Sequence, residues 1–169
     1  VRSFLKYWLP VLIWLGFIFV GSTDLMSAEH TSRIIEPFLR WLRPDISPEA
    51  IAQMQFVIRK CAHVTEYAIL AMLFWRALRR GTSLQMKAIP IRLGCASLRA
   101  GFRLRSGQVL FIVVWLVCAI FAAGDEFHQS FVPSRTASAH DVMIDICGAL
   151  IGLTICWMFA AHANRKSEI

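Results

Sequence analysis

The stretch VLFIVVWLVCAIFAA, residues 109–123, carries no charged side chain and decides the fold. A companion, ICGALIGLTICWMFAA at 146–161, is equally free of charge. A helix that crosses the hydrocarbon core of a bilayer needs ~20 mostly apolar residues, and soluble domains rarely offer several such runs. The whole chain agrees. Of its 169 residues 57% are hydrophobic and its mean hydropathy is +0.55, against ~45–50% apolar residues in soluble domains. The length suits one domain.

Working outward, residues 4–21 form another largely apolar run, with Arg2 ahead of it and Lys6 near its start. No convincing A-x-A cleavage pattern follows it, so it reads as an uncleaved first helix rather than a signal peptide. Residues 22–55 are a polar connection. Inside it Ile34, Ile35, Phe38, Leu39 and Leu42 recur at helical spacing beside Trp41, Arg33, Arg40 and Arg43. That pattern predicts a short helix lying in the membrane interface, with Pro37 early in the stretch and Pro44 ending it. Ser47-Pro48-Glu49 then opens a new helix, with serine as N-cap and proline in the first turn. No strong breaker follows until Gly81, so this helix crosses the bilayer at about 56–75 and emerges near Arg76. The sequence thus predicts an all-α membrane protein, a bundle of four transmembrane helices at about 4–21, 56–75, 109–124 and 141–161, with a short interfacial helix after the first.

Charge orients the bundle. Residues 76–107 hold eight Lys and Arg and no acid. With the N-terminus inside, this loop and both termini fall on the cytoplasmic side and hold twelve of the eighteen basic residues. Ten of the eleven acids fall outside. The opposite orientation would place the basic loop outside, against the positive-inside bias. The expected location is a cytoplasmic (inner) membrane, with both termini in the cytoplasm, 22–55 and 125–140 outside, and the basic loop on anionic lipid headgroups.

The net charge of +7 therefore reflects flanking segments, and no nucleic-acid motif accompanies it. Five cysteines, none in a CxxC pair, indicate neither a disulfide framework nor a zinc site. No cofactor is implied.

The polar residues within the apolar segments carry the functional signal. Arg59, His63 and Glu66 are spaced i, i+4, i+7 and share one helix face, with Lys60 and Tyr67 near it. Asp141, Asp145, Gly148 and Gly152 repeat that spacing, and the glycines would let another helix approach closely. Asp125 and Gln129 are i and i+4 if their helix extends that far. Alternation places all of these groups near the outer face. Ionisable groups in a span cost roughly 2.5–3.5 kcal/mol on insertion scales unless paired or wetted, so a shared polar cavity is expected. His63, Glu66, Asp125 and Glu126 are candidates for proton-handling or catalysis. Arg59, Lys60, Gln129, Arg135, Asp141 and Asp145 are candidates for ligand binding. The plainer readings are a helix-packing clamp for His63 and Glu66, a solvated helix end for Asp125-Glu126, and a turn at Pro133-Ser134-Arg135. A metal site has no decisive ligand spacing.

Three stretches together resemble the VanZ-like family of bacterial membrane proteins. They are Arg59-Lys60-Cys61-Ala62-His63-Val64-Thr65-Glu66-Tyr67, the run from Gly124-Asp125-Glu126 through Gln129 and Pro133 to Arg135, and Asp141 through Asp145 and Gly148 to Gly152. They are similar to the family blocks K-x-x-H-x-x-E-Y, D-E-x-x-Q-x-F-x-P-x-R and D-x-x-x-N-x-x-G-x-x-x-G. The resemblance implies a multi-helix membrane protein of the cell envelope. The family takes its name from an antibiotic-resistance protein associated with the glycopeptide teicoplanin, and no agreed reaction comes with it. Two departures stand out: Asp145 where the family usually has Asn, and a longer 76–107 loop.

Several functions fit these residues. The first is recognition of a membrane lipid or lipid-linked cell-wall precursor at the outer face, with Arg59, Lys60 and Arg135 holding anionic oxygens. An alternative is a membrane-embedded acid/base or metal-assisted enzyme acting on a lipid-linked phosphate, although no nucleophile motif is present. Proton or cation transport and a purely structural role complete the set.

Overall fold

The computed structural model describes residues 2–23, 28–80, 106–133 and 137–166. They form five helices: α1 (Arg2–Gly21), α2 (Ala28–Leu42), α3 (Pro48–Arg80), α4 (Ser106–Gln129) and α5 (Ala139–Lys166). No strand occurs among the described residues. Most of the basic loop, residues 81–105, lies outside them.

Among the described residues three helices are long and apolar enough to cross a membrane: Phe4–Gly21 in α1, Gly107–Gln129 in α4 and Ala139–His162 in α5. α3 does not reach that measure, because its central turns carry charge. With 33 residues it is about 50 Å long at 1.5 Å per residue, well beyond the ~30 Å hydrocarbon thickness.

α3 is nevertheless the hub, packing against each of the other helices. Its start follows from local chemistry. The Ser47 hydroxyl accepts a hydrogen bond from the Ala50 amide at 3.2 Å, and the Ser47 carbonyl accepts from Ile51 at 3.1 Å. The free helix-start amide at Glu49, with help from the Ser47 hydroxyl, holds the Glu49 carboxyl below its usual range, as expected for an acid in a first turn.

The tightest seam joins α3 to α5. A Cβ added at Gly148 would lie 2.9 Å from the Val64 Cα and collide with the Val64 carbonyl. One added at Gly152 would lie 2.9 Å from the Ala68 Cα and collide with the Ala68 carbonyl. The two glycines, one helical turn apart, therefore let the backbones meet. Lipid offers little hydrophobic drive between helices, so such van der Waals contact supplies the association. Ala68, Ala71, Ala149 and Leu153 are buried here or nearby.

Aromatic contacts fill the rest of the core. Phe74 meets Trp8 edge-on at 6.3 Å and stacks on Phe121 at 5.9 Å. Trp157 meets Trp75 and Phe111 edge-on. α1 is tied to α3 by the Trp14 indole N–H, which donates to the Glu66 carbonyl at 2.9 Å. Phe17, Ile120 and Phe159 point outward and are largely exposed. In water they would form an aggregation-prone patch, whereas lipid suits them.

α2 starts earlier than the apolar spacing suggests, at Ala28, so Pro37 lies well inside it. Ser32 donates to Gln55 of α3 at 3.0 Å. Leu39 is buried, while Phe38, Trp41 and Leu42 are exposed. α4 continues past the apolar run to Gln129.

Candidate functional site

Four helices deliver polar side chains to one end of the bundle: the end of α1, the middle of α3, the end of α4 and the start of α5. α4 reverses the chain direction between α3 and α5, so these two run parallel and bring together residues more than 80 positions apart.

Two cross-helix pairs join α3 to α5. The Lys60 ammonium donates to Oδ1 of Asp141. Nδ1 of His63 lies 3.1 Å from Oδ1 of Asp145. These pairs sit one helical turn apart along α3, in step with the Gly148 and Gly152 contacts deeper in the seam. Close backbone approach thus sets the distance at which the pairs form. Asp145 is fully buried at 0% exposure, so the pair is shielded from solvent and a missing partner would be costly.

The end of α4 adds a second layer. Gln129 donates to Oδ2 of Asp125 at 3.0 Å, the i, i+4 contact available because the helix extends that far. The Ser22 hydroxyl at the end of α1 donates to Oδ1 of Asp125. Oε2 of Glu126 accepts the Ser138 amide at 2.8 Å. Ser138 caps α5 in turn, its carbonyl accepting the Asp141 amide and its hydroxyl the His140 amide. Glu126 therefore clamps the start of α5 to the end of α4. It is 5% exposed, and Gln129 is 4% exposed.

Polar atoms without partners mark what this end of the bundle lacks. Oδ2 of Asp145, Oε1 of Glu126, the Tyr67 hydroxyl and Nδ1 of His128 are buried with no hydrogen-bond partner among the described residues. Each such group costs about 1–3 kcal/mol if left alone. The two carboxylate oxygens call for donors, while the hydroxyl and the imidazole nitrogen accept either role.

The candidate residues divide as follows. Lys60, His63, Asp125, Glu126, Gln129, Asp141 and Asp145 are brought together as described. Glu66 lies against the end of α1, where a Cβ on Gly21 would stand 3.9 Å from its Oε1. Arg59 is half-buried on α3 and has no ion pair among the described residues. Arg135 lies outside the described residues. No three His, Cys, Asp or Glu side chains among the described residues are grouped to hold a metal ion.

Ser22, Trp14 and Ser138 enter the network although the sequence pattern did not single them out. Ser22 and Trp14 have partners more than 50 positions away, and no local spacing announces such contacts. Ser138 was more accessible: a serine just before an acid-bearing helix start is an N-cap signal.

Apolar helices wrapped around a buried, partly unsatisfied polar cluster define a helical membrane protein. The chain belongs to the VanZ/LLP1 family, whose family model matches residues 7–160. No curated protein and no solved structure gives a match.

Proposed function

We propose that this VanZ/LLP1 protein crosses the bacterial cytoplasmic membrane four times, with α3 as the fourth span and α2 in the outer interface. Both termini are cytoplasmic, and the polar cluster lies at the outer face. There it recognises the polar head of a membrane lipid or a lipid-linked cell-wall precursor. Through that ligand's amount or accessibility it influences sensitivity to glycopeptides such as teicoplanin.

The observation that carries this reading is the pair of unpartnered buried oxygens, Oδ2 of Asp145 and Oε1 of Glu126. A polar clamp built only for packing would close its own hydrogen bonds, because an unmet acceptor weakens it. The Lys60–Asp141 and His63–Asp145 pairs support α3 as a span, since they turn its charges toward the bundle. The excess of basic residues in 76–107 supports the orientation.

Lys60 is engaged by Asp141, so its charge is already balanced. Among the described residues the cluster is richer in acid than in base: Glu66, Asp125, Glu126, Asp141 and Asp145 against His63, Arg59 and Lys60. A head group that donates hydrogen bonds fits better than one that only accepts them.

The test is the lipid content of protein extracted directly into lipid nanodiscs. Wild type is expected to retain one polar lipid or precursor class above its abundance in the membrane. Glu126→Gln and His63→Ala, extracted at equal folded yield, are expected to lose that enrichment. Equal lipid profiles for wild type and both variants would refute the reading.

A further inference from the structure

Behind Tyr67, on the side away from α5, a groove runs between α1 and α4. Its volume is about 650 Å³, within the ~300–1,000 Å³ range of small-molecule sites. Leu15, Ile18 and Phe19 form one wall, and Ile120 and Phe121 form the other. Phe19 and Ile120 are exposed on the outside of the bundle, so the groove opens toward the surrounding hydrocarbon. Two glycines make the space. A Cβ on Gly16 or on Gly124 would meet nothing within 4 Å.

The groove's exposed lining is almost wholly apolar, and the residues with polar groups gather toward the α4 end. Asp125, His128 and Tyr67 line it, and no lysine or arginine does among the described residues. Tyr67 is 1% exposed, yet its hydroxyl has no partner. Nδ1 of His128 is buried and equally unmet. Asp125 receives Ser22 and Gln129, which supply hydrogen bonds but no charge. Its carboxylate keeps further acceptor sites. An anionic head would meet an unneutralised carboxylate here, and a like charge at short range is repelled. A primary ammonium has three donors and a positive charge. Asp125 lines the groove as an anionic acceptor, and the unmet Tyr67 oxygen and His128 nitrogen are buried just behind its wall, where a side-chain rotation would bring them to a bound ammonium.

We propose that the α1–α4 groove seats the hydrocarbon chain of an amphiphilic amine, its ammonium group at Asp125, Tyr67 and His128. This rests on reading the polar cluster as a lipid-head site, and it names the head as an amine rather than a phosphate. The chain lies along Leu15, Ile18, Ile120 and Phe121. Gly16 and Gly124 are required for its passage, and Asp125 for its charge preference.

The probe is a long-chain primary amine with a diazirine in its chain and a terminal alkyne. It is applied to the full-length protein in phosphatidylcholine vesicles. Unlabelled long-chain amine, alcohol and phosphate of the same chain serve as competitors, and crosslinked peptides are mapped by mass spectrometry. Saturable labelling is expected within 15–19 and 120–124, with the amine competing roughly tenfold or more better than the alcohol. Gly16→Leu and Gly124→Leu, each filling open space, should abolish the saturable part while the protein keeps its thermal stability. Asp125→Asn should bring the amine down to the alcohol's level.

Strongest competition by the long-chain phosphate would overturn the amine assignment and leave the lipid-head reading standing. Labelling indifferent to both leucine variants would overturn the groove. No saturable labelling displaced by any of the three competitors would overturn this proposal and the lipid-head reading together.

Discussion

Glycines do opposite jobs on the two sides of α3. Along the α3–α5 seam, Gly148 and Gly152 stand where any side chain would strike the backbone of Val64 or Ala68. Along the α1–α4 groove, Gly16 and Gly124 face open space. The first pair closes a gap between helices and the second holds one open. In a bilayer, packing is the main source of helix association, so a seam without space is the part that holds the bundle. A gap rimmed by unmet polar atoms gives up such packing, and that loss requires a reason outside folding. Asp145 in the seam and Tyr67 beside the groove are each buried and each short of a partner.

Substitutions sharpen this contrast, beginning with the seam. Gly152→Ala forces a methyl into backbone and should cost about 3 kcal/mol, the upper part of the usual overpacking range. Gly148→Ala should behave alike. Both should appear as a large fall in the melting temperature of the detergent-purified protein. Equal stability to wild type would mean that the helices sit farther apart than described.

Asp145→Ala comes next. It strands Nδ1 of His63 in a buried setting, at a cost of about 1–3 kcal/mol. Asp145→Asn keeps a hydrogen-bonding group beside His63 and should recover most of that stability. A chemical-denaturation midpoint for the two variants separates loss of the contact from loss of the charge. Trp14→Phe removes the indole bond to the Glu66 carbonyl and should cost about 1 kcal/mol in the same assay.

Gly124→Ala should act with the opposite sign. Nothing opposes the methyl, and replacing a mid-helix glycine gains up to about 1 kcal/mol. A destabilised Gly124→Ala would erase the distinction between seam and groove. The Arg40–Glu36 pair on α2 is exposed on both sides, so Arg40→Ala should change stability by less than about 0.5 kcal/mol.

Much of the helical layout was legible because it rests on local pattern. Apolar runs marked α1, α4 and α5, and Ser47-Pro48 marked the start of α3. The i, i+4 spacing of Asp125 and Gln129 foretold a contact that needed only a longer α4. The 4-3-4 spacing from Asp141 to Gly152 placed acids and glycines on one face, and that face meets α3. Other features had no local signature. Whether His63 would bond within its own helix or across to Asp145 depends on interhelix distance, which the glycines set. Ser22 reaches Asp125 only because two helix ends coincide in space. Polar residues concealed how far α4 extends, since hydropathy falls at Gly124 while the backbone hydrogen bonds continue to Gln129. The groove was invisible in the sequence, because a glycine that leaves space reads the same as one that closes it.

The central claim is that the polar end serves a ligand while the seam serves the fold. The most direct measurement is complementation of a deletion strain, scored as teicoplanin sensitivity with folded protein in the membrane matched across strains. His63→Ala, Asp125→Asn and Glu126→Gln are expected to lose the wild-type phenotype at matched levels, while the seam variant Gly148→Ala, raised to the same level, keeps it. Retention of the phenotype by all three cluster variants, or a loss that simply follows folded yield in every variant, would contradict the claim and make the cluster part of the scaffold.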